Sequence, residues 1–454
     1  MMVSLFFLSY FSIMSSSLFK TFLFIFTFSL LSGEVSAQYY IQELAPLPEA
    51  ISNNAVSEAS VNNQEYVYTF GGIDTSKIHS GIHNRCYKYD VQNDSWSPLP
   101  DLPISPTRIA SAASTIKDII YIIGGYHVFP NGHEESHPLV HRFDTKADTF
   151  LTNGAPLPKA TDDHVQAVYK DSLIFVVSGW SNTANIPNVQ IYNPQLDSWL
   201  IGTSVPNNHL YKSFGASGEI IGDTIYYFGG AKMGNNFPIQ NQIRKGYIDP
   251  NNVTQITWSI DTIHQDLVGY RMAASPYHNS IRWIGGSNRT YNYNGVGYAG
   301  NIPVEPNRRI LTYYPHINIW DTTSFNTINM DFRGIATFDC NMILIGGMDS
   351  SQTVSQRTLL IECAPNALPK TDSPDGHGKI YPNPSNQYFK LKDISSPRTV
   401  SIYNIKGQIL FNEFVLPDQN IPIAHLPSGL YLVAITSKEN THFEKLIIQH
   451  KKSD

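Results

Sequence analysis

The 454-residue sequence is poor in cysteine and in charge: it has three cysteines, and Asp, Glu, Lys and Arg together make up 15% of the chain. Three cysteines are too few for a disulfide-dense scaffold or a zinc framework. No run rich in lysine or arginine occurs and the formal net charge is −6, so the footprint of a nucleic-acid-binding protein is absent. After residue 37, no stretch is long and apolar enough to span a bilayer.

What the chain does contain favours β-structure. Hydrophobic residues make up 42% of it, and it has 26 Tyr, 30 Gly and 28 Pro. This composition is typical of many short strands joined by tight turns. A chain of this length and hydrophobicity buries a sizeable core, and its length predicts two or three domains.

The N-terminal segment predicts secretion. An apolar run at residues 22–31 follows Lys20, and the small-x-small sequence Val-Ser-Ala ends at Ala37. This order predicts a signal peptide over residues 1–37. The residues before Met14 are also apolar, so either Met1 or Met14 is the start. The alternative is a membrane anchor over residues 5–31, although serines and Lys20 interrupt that run.

A short apolar segment that ends in a glycine pair recurs at intervals of 51 to 61 residues. The copies are TFGG at 69–72, IIGG at 122–125, VVSG at 176–179, YFGG at 227–230, WIGG at 283–286 and LIGG at 344–347. Ser178 replaces the first glycine in the third copy. A repeat of about 50 residues is typical of propeller blades.

Aromatic pairs follow each glycine pair at a second fixed spacing. Seven residues separate the members of four pairs: Tyr89 and Trp96, Phe143 and Phe150, Tyr192 and Trp199, and Tyr313 and Trp320. Tyr247 and Trp258 are eleven apart, which predicts a longer turn. Each repeat therefore predicts a four-stranded blade, with a small-residue first strand such as 109–113 near the axis and the Trp packed between blades.

These repeats resemble the kelch family over residues 39–366. The resemblance implies an all-β protein with a six-bladed kelch-type β-propeller at residues 38–367. No Trp follows Cys363 in the sixth repeat, whereas residues 39–48 match the fourth-strand exit at 95–100. We therefore predict that the N-terminal strand closes blade six and removes its open edge.

Two of the cysteines bear on the same blade. Cys340 lies twelve residues before Gln352 and Cys363 eleven residues after it, so an antiparallel hairpin centred near Ser351 places them opposite each other. A disulfide between Cys340 and Cys363 is one reading for an exported protein. Two buried free thiols are the other, and Cys86 is interpreted as a core residue.

The last part of the chain predicts a separate domain. Residues 368–378 are polar and contain Pro and Gly, as linkers do. The motifs KIYPNP at 379–384, VSIYNIKGQIL at 400–410, LPSGLYLVAI at 426–435 and KLIIQ at 445–449 then predict a small Ig-like β-sandwich. They resemble the type A sorting domain of type IX secretion. The resemblance implies a secreted bacterial protein, extracellular or attached to the outer surface, whose residues 379–454 contact the secretion machinery; a generic Ig-like stalk is the alternative.

The blade ends offer candidate binding residues. Each first strand begins at the same end of its blade as the loop between the second and third strands, where propellers usually bind ligands. The cationic or potentially cationic residues at these starts are Arg108, His164, Lys212, Arg271 and Arg333. Such a ring predicts a site for a carboxylate. The alternative is that they are solvated or pair with acids such as Asp162, Asp163 and Asp331.

Two loops add further candidates. The blade-five loop, 287–308, carries Tyr291, Tyr293 and Tyr298, whose faces suit sugars or peptides; a self-packed surface loop is the alternative. The blade-two loop carries His133 and His137 as weak candidates for a Zn²⁺ or Cu²⁺ site, against a solvated polar loop. No cofactor-binding motif occurs, because the glycine pairs belong to the repeat.

The leading functional hypothesis is therefore a secreted or cell-surface binding protein for an unidentified glycan or protein. The alternative is an enzyme, because the blade count and export are similar to those of sialic acid (N-acetylneuraminate) mutarotases; the cationic ring would then hold the carboxylate, with Glu or His as acid and base. A structural or adhesive surface protein is a third reading. No nucleic acid, cofactor or membrane span after signal cleavage is expected.

Overall fold

The computed structural model describes residues 39–262, 266–277, 279–300, 302–315, 318–363, 379–392, 394, 397–404, 409–436 and 441–450. The predicted signal peptide, the choice between Met1 and Met14 and the predicted linker at 368–378 lie outside these residues. The chain divides into two compact units after Cys363. No helix in the described part reaches the length and apolarity that crossing a membrane needs.

The first unit consists of four-stranded antiparallel sheets arranged as successive blades, which confirms the predicted all-β propeller. The blade strands are, in chain order, β1 (Tyr39–Leu44); β2 (Ala55–Val61), β3 (Gln64–Ile73), β4 (Ile82–Asp90) and β5 (Ser95–Leu99) of blade one; β6 (Ala112–Ile116), β7 (Ile119–Ile123), β8 (Tyr126–Val128), β9 (Glu134–Ser136), β10 (Val140–Asp144) and β11 (Thr149–Phe150) of blade two; β12 (Val165–Tyr169), β13 (Leu173–Val177), β14 (Trp180–Ser181), β15 (Ala184–Asn185), β16 (Val189–Asn193) and β17 (Ser198–Gly202) of blade three.

The later blades follow the same plan. Their strands are β18 (Ser217–Ile221), β19 (Thr224–Phe228), β20 (Gln242–Asp249) and β21 (Asn252–Thr262) of blade four; β22 (Ala273–Tyr277), β23 (Ser280–Ile284), β24 (Arg309–Tyr314) and β25 (Ile319–Ser324) of blade five; β26 (Ala336–Phe338), β27 (Asn341–Ile345), β28 (Met348–Asp349), β29 (Thr353–Val354) and β30 (Thr358–Cys363) of blade six. The pairs β8–β9, β14–β15 and β28–β29 are small hairpins outside the main sheets, and short 3-10 turns occur at His79–Gly81 and Ser350–Gln352.

Strand β1 supplies the fourth strand of blade six. It pairs antiparallel with β30, with Tyr39 opposite Cys363 and Leu44 opposite Thr358. The sheet order is β1-β30-β27-β26, so strands from both ends of the unit lie in one blade. The main-chain groups of β30 are thereby paired on both sides, and the ring has no open edge at this blade.

The hydrophobic cores lie between neighbouring blades. One cluster, for example, joins Phe175 and Ile191 of blade three to Ile225 and Tyr227 of blade four. Equivalent clusters occupy the other five interfaces within the described residues, including the interface between blades six and one. Each sheet therefore buries both of its faces, and the blades stabilise one another around a closed ring.

The first glycine of a pair is required by a close contact with the next blade. Gly229 has a φ of +68°, and a Cβ added there would lie 2.1 Å from the carbonyl oxygen of Gly269 in the next blade. Ser178 has the same left-handed conformation, with a φ of 53°. Its hydroxyl donates across the interface to Ser213 O (3.1 Å) and accepts from Ser213 N (3.0 Å), which explains why serine is tolerated in this copy.

The seven-residue aromatic pairs stand opposite each other across the outer two strands. Tyr192 pairs with Trp199 at 5.0 Å between ring centroids, and the indole of Trp199 donates to Ala155 O of the preceding blade (2.7 Å). The expected fourth-repeat pair is wrong. Tyr247 stands opposite Thr257 and is exposed, whereas Trp258 stands opposite Gly246 and packs on Tyr227, because β20 and β21 are longer and shift register at Ile248.

The first strand of blade two begins later than expected, at Ala112 rather than Ile109. The reason is that Ala110 has a left-handed φ of 56°, which no regular strand accommodates. Ile109 and Ala110 instead belong to the connection that leads to the propeller axis.

Of the two readings for Cys340 and Cys363, the structure has the free thiols and no disulfide between them. Cys340 lies in the turn before β27, and the Cys363 thiol donates to the Cys340 carbonyl oxygen at 2.9 Å. Arg282 donates to the same carbonyl oxygen (2.6 Å) and lies 3.4 Å from Cys363 Sγ. Burial raises the pKa of the Cys363 thiol to about 12, which disfavours the reactive thiolate. Cys86 is a buried free thiol.

The second unit contains two sheets around one hydrophobic core. Its strands are β31 (Lys379–Tyr381), β32 (Tyr388–Lys392), β33 (Arg398–Tyr403), β34 (Ile409–Val415), β35 (Ile421–Pro422), β36 (Gly429–Thr436) and β37 (Thr441–Ile448). The sheet orders are β31-β32-β35 and β34-β33-β36-β37, and Phe389 of the first packs with Val433 of the second in a shared core. This is a small β-sandwich; its Ig-like character stays a prediction.

Candidate functional site

The residues at one end of the blades, here called the upper face, are positioned by a repeated main-chain bridge. In every blade a residue before the first strand forms an antiparallel bridge with the residue that follows the glycine pair. The bridges are Ser52–Ile73, Ile109–Tyr126, Asp162–Trp180, Phe214–Ala231, Tyr270–Ser287 and Met330–Met348. The bridge brings two loops of each blade together at this end of the blade.

In each bridge, the residue before the first strand is followed directly by a residue of what we call the axial ring. The six residues of this ring are Asn53, Ala110, Asp163, Gly215, Arg271 and Asp331. All six have a left-handed φ, between 47° and 68°. Main-chain hydrogen bonds link successive blades here, from Asp163 N to Ala110 O, from Gly215 N to Asp163 O and from Arg271 N to Gly215 O. Non-glycine residues rarely adopt this conformation, and such strain is concentrated at functional sites.

The ring holds a buried ion network centred on Arg271. The Arg271 guanidinium contacts Asp163 through Nη2–Oδ2 (2.7 Å) and Nε–Oδ1 (3.2 Å), and contacts Asp331 through Nη1–Oδ1 (3.2 Å). Arg333 adds a contact from Nη1 to Asp163 Oδ1 at 2.7 Å. Asp331 also accepts from the hydroxyls of Ser52 (2.6 Å) and Tyr291 (3.3 Å). Arg271 therefore has its charge and its donors satisfied within the protein.

The network fixes the charge states of its members. Burial opposes ionisation of Asp163, but Arg271 and Arg333 outweigh it and hold the pKa of Asp163 below its usual value. Burial likewise opposes the charge on Arg271, yet Asp163 and its neighbours raise the pKa of Arg271 well above its usual value. Both groups are charged at neutral pH, as a mutually stabilised buried pair.

Above this network lies a cavity of about 110 Å³, here called the upper cavity. Five aromatic residues line it: Tyr126, Trp180, Phe214, Phe237 and Tyr298. Asn292 and the charged residues Glu134, Asp162, Asp163 and Arg271 complete the wall. Its volume is well below the roughly 300 Å³ of pockets that enclose a drug-sized ligand, so it suits one functional group of a larger ligand.

Several polar groups in this wall have no partner among the described residues. The Tyr126 side chain is 4% exposed and its hydroxyl makes no hydrogen bond there. Asp162, which is 3% exposed, uses Oδ2 to accept from Ser136 Oγ (2.5 Å) but leaves Oδ1 unpaired in that part of the chain. Neither atom is fully enclosed, so both are accessible to a ligand in the cavity that these residues line.

The carboxyl groups of the wall are held in unusual states. Burial and the neighbouring Asp163 raise the pKa of Asp162 well above its usual value. Burial also raises the pKa of Glu134, against a smaller opposing effect of Arg271. Neither Glu134 nor Asp162 joins an ion pair within the described residues, in contrast to Asp163. The upper cavity therefore contains carboxyl groups without a matching cation.

Comparison with known proteins agrees with this architecture. The family model described as "Kelch motif" matches residues 59–103, and that described as "Secretion system C-terminal sorting domain" matches residues 379–449. The chain is a kelch propeller with a C-terminal secretion sorting domain. The predicted family and the predicted sorting domain are thus confirmed, and the sorting domain indicates type IX export to the cell surface or extracellular space.

The kelch propeller matches only part of the length of its curated relatives. Kelch-like protein 36 of Bos taurus is 21% identical over 337 residues, 73% of this chain and 51% of that protein. Beta-scruin of Limulus polyphemus is 31% identical over 160 residues, 34% of this chain and 16% of that protein. The chain thus spans about half the length, or less, of the curated relatives it matches. A solved structure, "Structure of YjhT", has a TM-score of 0.57 and 15% identity over 71% of this chain and 98% of that one, and shows the fold alone.

The five cationic candidates do not form a ring of free charges in the kelch propeller. Only Arg271 occupies an axial-ring position, and it and Arg333 are bound by acids. Arg108 donates to the main-chain oxygens of Leu139 (3.1 Å) and Ile122 (3.2 Å), and burial lowers its pKa to about 9. His164 Nε2 lies 3.2 Å from Gln166 Oε1, and burial lowers its pKa to about 4. Lys212 is half-buried in the preceding turn.

The three tyrosines of the blade-five loop have different positions. Tyr298 lines the upper cavity and packs on Phe237 at 4.7 Å between ring centroids. Tyr291 is fully buried, where it stacks at right angles on Tyr270 and lies over Arg271. Tyr293 is half-buried against the apolar cluster of blades one and two. Tyr298 is therefore the member of this set that a ligand in the cavity would contact.

The two histidines named as weak metal candidates lie on either side of β9. His133 is exposed and stacks on Phe129 at 5.6 Å, whereas His137 Nδ1 accepts from Leu139 N at 3.3 Å. Within the described ranges, no three His, Cys, Asp or Glu side chains form a group that suits a metal ion.

A second and larger space follows the axis below the ring. This axial channel has a volume of about 430 Å³ and is lined by the first strands of all six blades. Glu58 of blade one and Glu219 of blade four enter it from opposite blades. Burial raises the pKa of Glu58 to about 7, and burial together with Glu58 raises the pKa of Glu219 to about 8. His164 and Arg333 line the channel, whereas Asp163 and Arg271 line the upper cavity.

Proposed function

We propose that this protein is an exported binding protein that holds a glycan at the upper face of its kelch propeller. The observation that carries the proposal is the upper cavity, where aromatic rings and unpaired hydroxyl and carboxyl groups line the same space. Aromatic faces pack against the C–H faces of sugar rings, and hydroxyl and carboxyl groups bind sugar hydroxyls. Binding sites of this mixed kind orient a ligand through a few polar groups in an apolar wall.

The scaffold supports the same conclusion. The rings of Trp180, Phe214 and Phe237 pack edge to face at 5.4–5.6 Å, so the aromatic wall is formed by its own contacts without a ligand. A preformed wall reduces the entropy lost on binding. The sorting domain supports a place of action outside the cell, where glycans are abundant ligands.

The test is a glycan array followed by titration calorimetry with the full chain. Tyr126→Phe removes one cavity hydroxyl and keeps the ring, so we expect about fivefold weaker binding of an array hit. Tyr40→Phe, on the exposed outer strand β1, is the matched control and should bind as the parent does. An array without hits, or equal binding by both variants, contradicts the proposal.

A second candidate is a sugar mutarotase acting on N-acetylneuraminate or another sugar. The observation that favours it is that Asp162 and Asp163, adjacent in sequence and lining one cavity, have pKa values displaced in opposite directions. Such a pair can serve as acid and base. Against it, Arg271 is occupied by carboxylates and is not available to hold a sugar acid. NMR exchange between sugar anomers, unchanged by added protein, would reject this activity.

A further inference from the structure

The charge of the upper cavity is opposite to that expected from a ring of cations. Four carboxyl groups lie in or beside it, those of Glu134, Asp162, Asp163 and Asp331, against the two guanidinium groups of Arg271 and Arg333. Both guanidinium groups contact Asp163, and Arg271 also contacts Asp331. Glu134 and Asp162 are therefore the carboxyl groups of the wall that no cation contacts within the described residues, and a bound cation would favour their ionised form.

Both of these carboxyl groups line the cavity. Asp162 and Tyr126 are buried residues whose Oδ1 and hydroxyl make no hydrogen bond within the described chain, and Glu134 has no side-chain hydrogen bond there. Oxygen atoms that accept hydrogen bonds thus line a space whose remaining wall is aromatic apart from Asn292 and the paired groups of Asp163 and Arg271. An ammonium group donates up to three hydrogen bonds, and aromatic faces attract it further.

We propose that the upper cavity binds a protonated primary amine, presented by an amino sugar. The ammonium group donates to Asp162 Oδ1 and to Glu134, and the sugar ring lies on the aromatic wall near Tyr298. This inference rests on the proposed glycan-binding function and specifies which substituent enters the cavity. It excludes the sugar carboxylate that a free cationic ring would have selected.

The size of the cavity agrees with this assignment. A space of about 110 Å³ accepts an amine with the ring atoms next to it, and leaves the rest of the sugar at the open upper face. A metal ion is the competing cation, but it prefers several oxygen or imidazole ligands, and five of the ten wall residues are aromatic.

The test is titration calorimetry of the full chain with sugars that differ at one substituent: glucosamine, N-acetylglucosamine, glucose and glucuronate. We expect glucosamine to bind at least about tenfold more tightly than glucose, since a charged donor to a buried carboxylate is worth that factor. Glucuronate should bind most weakly. Equal affinity for glucose and glucosamine overturns the amine assignment and leaves the glycan proposal standing.

Two further arms separate the remaining possibilities. Ethanolamine binding in the absence of any glucose or N-acetylglucosamine binding supports the amine site and counts against a glycan ligand. The melting temperature is also measured with calcium, magnesium or zinc chloride. If one of these salts raises it and glucosamine does not, the amine assignment is overturned in favour of a metal ion.

Variants on one hairpin provide the matched comparison. Glu134→Gln removes a carboxyl group that lines the cavity, and should weaken glucosamine binding about tenfold while leaving glucose binding unchanged. Glu135→Gln removes the exposed neighbouring charge and should change neither. Asp162→Asn, with its melting temperature checked first, should repeat the effect of Glu134→Gln. Equal effects of Glu134→Gln and Glu135→Gln on both sugars would overturn the assignment.

Discussion

Replacement of Arg271 by methionine tests whether this arginine is a structural counter-ion or a free ligand-binding group. Methionine keeps much of the apolar stem and removes the guanidinium, so Asp331 loses the cation that contacts it and Asp163 keeps only Arg333. Arg271, Asp163 and Asp331 are at most 2% exposed. Breaking a buried ion pair from one side costs about 3–5 kcal/mol, because the partner charge stays buried without compensation.

The expected result is a fall in the melting temperature of about 6–10 °C, measured by calorimetry at neutral pH. Lys146→Met, which removes an exposed ion pair with Asp118, is the control and should cost no more than about 1 kcal/mol. Adding Asp331→Asn to Arg271→Met should restore part of the lost stability, because it removes the carboxylate left without a cation. Adding Asp163→Asn instead should restore less, because Asp163 still contacts Arg333.

The pH dependence gives an independent check. The pKa of Asp163 is lowered in the folded protein, mainly by Arg271 and Arg333 acting against burial. Its contribution to stability is therefore present above its unfolded pKa of about 3.9 and is lost as the pH falls through the folded value. The penalty of Arg271→Met should shrink in that acidic range. A stability change below about 1 kcal/mol, or a glucuronate-binding site that disappears in Arg271→Met, would refute the reasoning.

Three further predictions follow from the blades. Gly229→Ala should destabilise the propeller by more than about 1 kcal/mol in denaturant unfolding, since the new Cβ meets Gly269 O at a left-handed φ. Gly222→Ala is the control: it has the same conformational cost but nothing lies within 4 Å of the new Cβ, so it should destabilise the propeller less. The free energy of unfolding should fall as the pH rises from about 4.5 towards 8, because burial raises the pKa of Glu58 to about 7 and of Glu219 to about 8. In the double variant Glu58→Gln/Glu219→Gln the dependence of stability on pH should be smaller. An unchanged dependence would contradict the prediction. Deleting residues 39–44 leaves β30 unpaired on one side and should cause aggregation, seen by light scattering; a monomeric variant with the parent melting temperature would contradict the closure.

The sequence was sufficient to predict the fold because the determinants of a blade are local and repeated. The first glycine of a pair marks a position where the next blade approaches closely, as at Gly229, and the second approaches the start of its own blade, as at Gly230. The seven-residue aromatic spacing is set by the turn between the outer strands. It failed in blade four, where the longer strands β20 and β21 move Trp258 away from Tyr247.

The candidate site was harder to predict because it depends on which residues are equivalent around the axis. The axial-ring positions of blades two, three and four are Ala110, Asp163 and Gly215. Arg108, His164 and Lys212 lie one to three residues away from them, so these cations do not occupy equivalent positions and do not form a ring. The acids named as possible partners, Asp163 and Asp331, are the ring members. One signal was available in the sequence: bulky Tyr126 and Trp180 follow the glycine pairs of blades two and three, where Ile, Ala, Ser or Met follows the others.

The most direct test of the account is a crystal structure of the full chain with glucosamine bound. The account predicts the amine nitrogen within hydrogen-bonding distance of Asp162 Oδ1 and Glu134, with the sugar ring against Tyr298 and Trp180. A sugar bound in the axial channel beside Glu58 and Glu219, or a ligand whose carboxylate contacts Arg271, would contradict it.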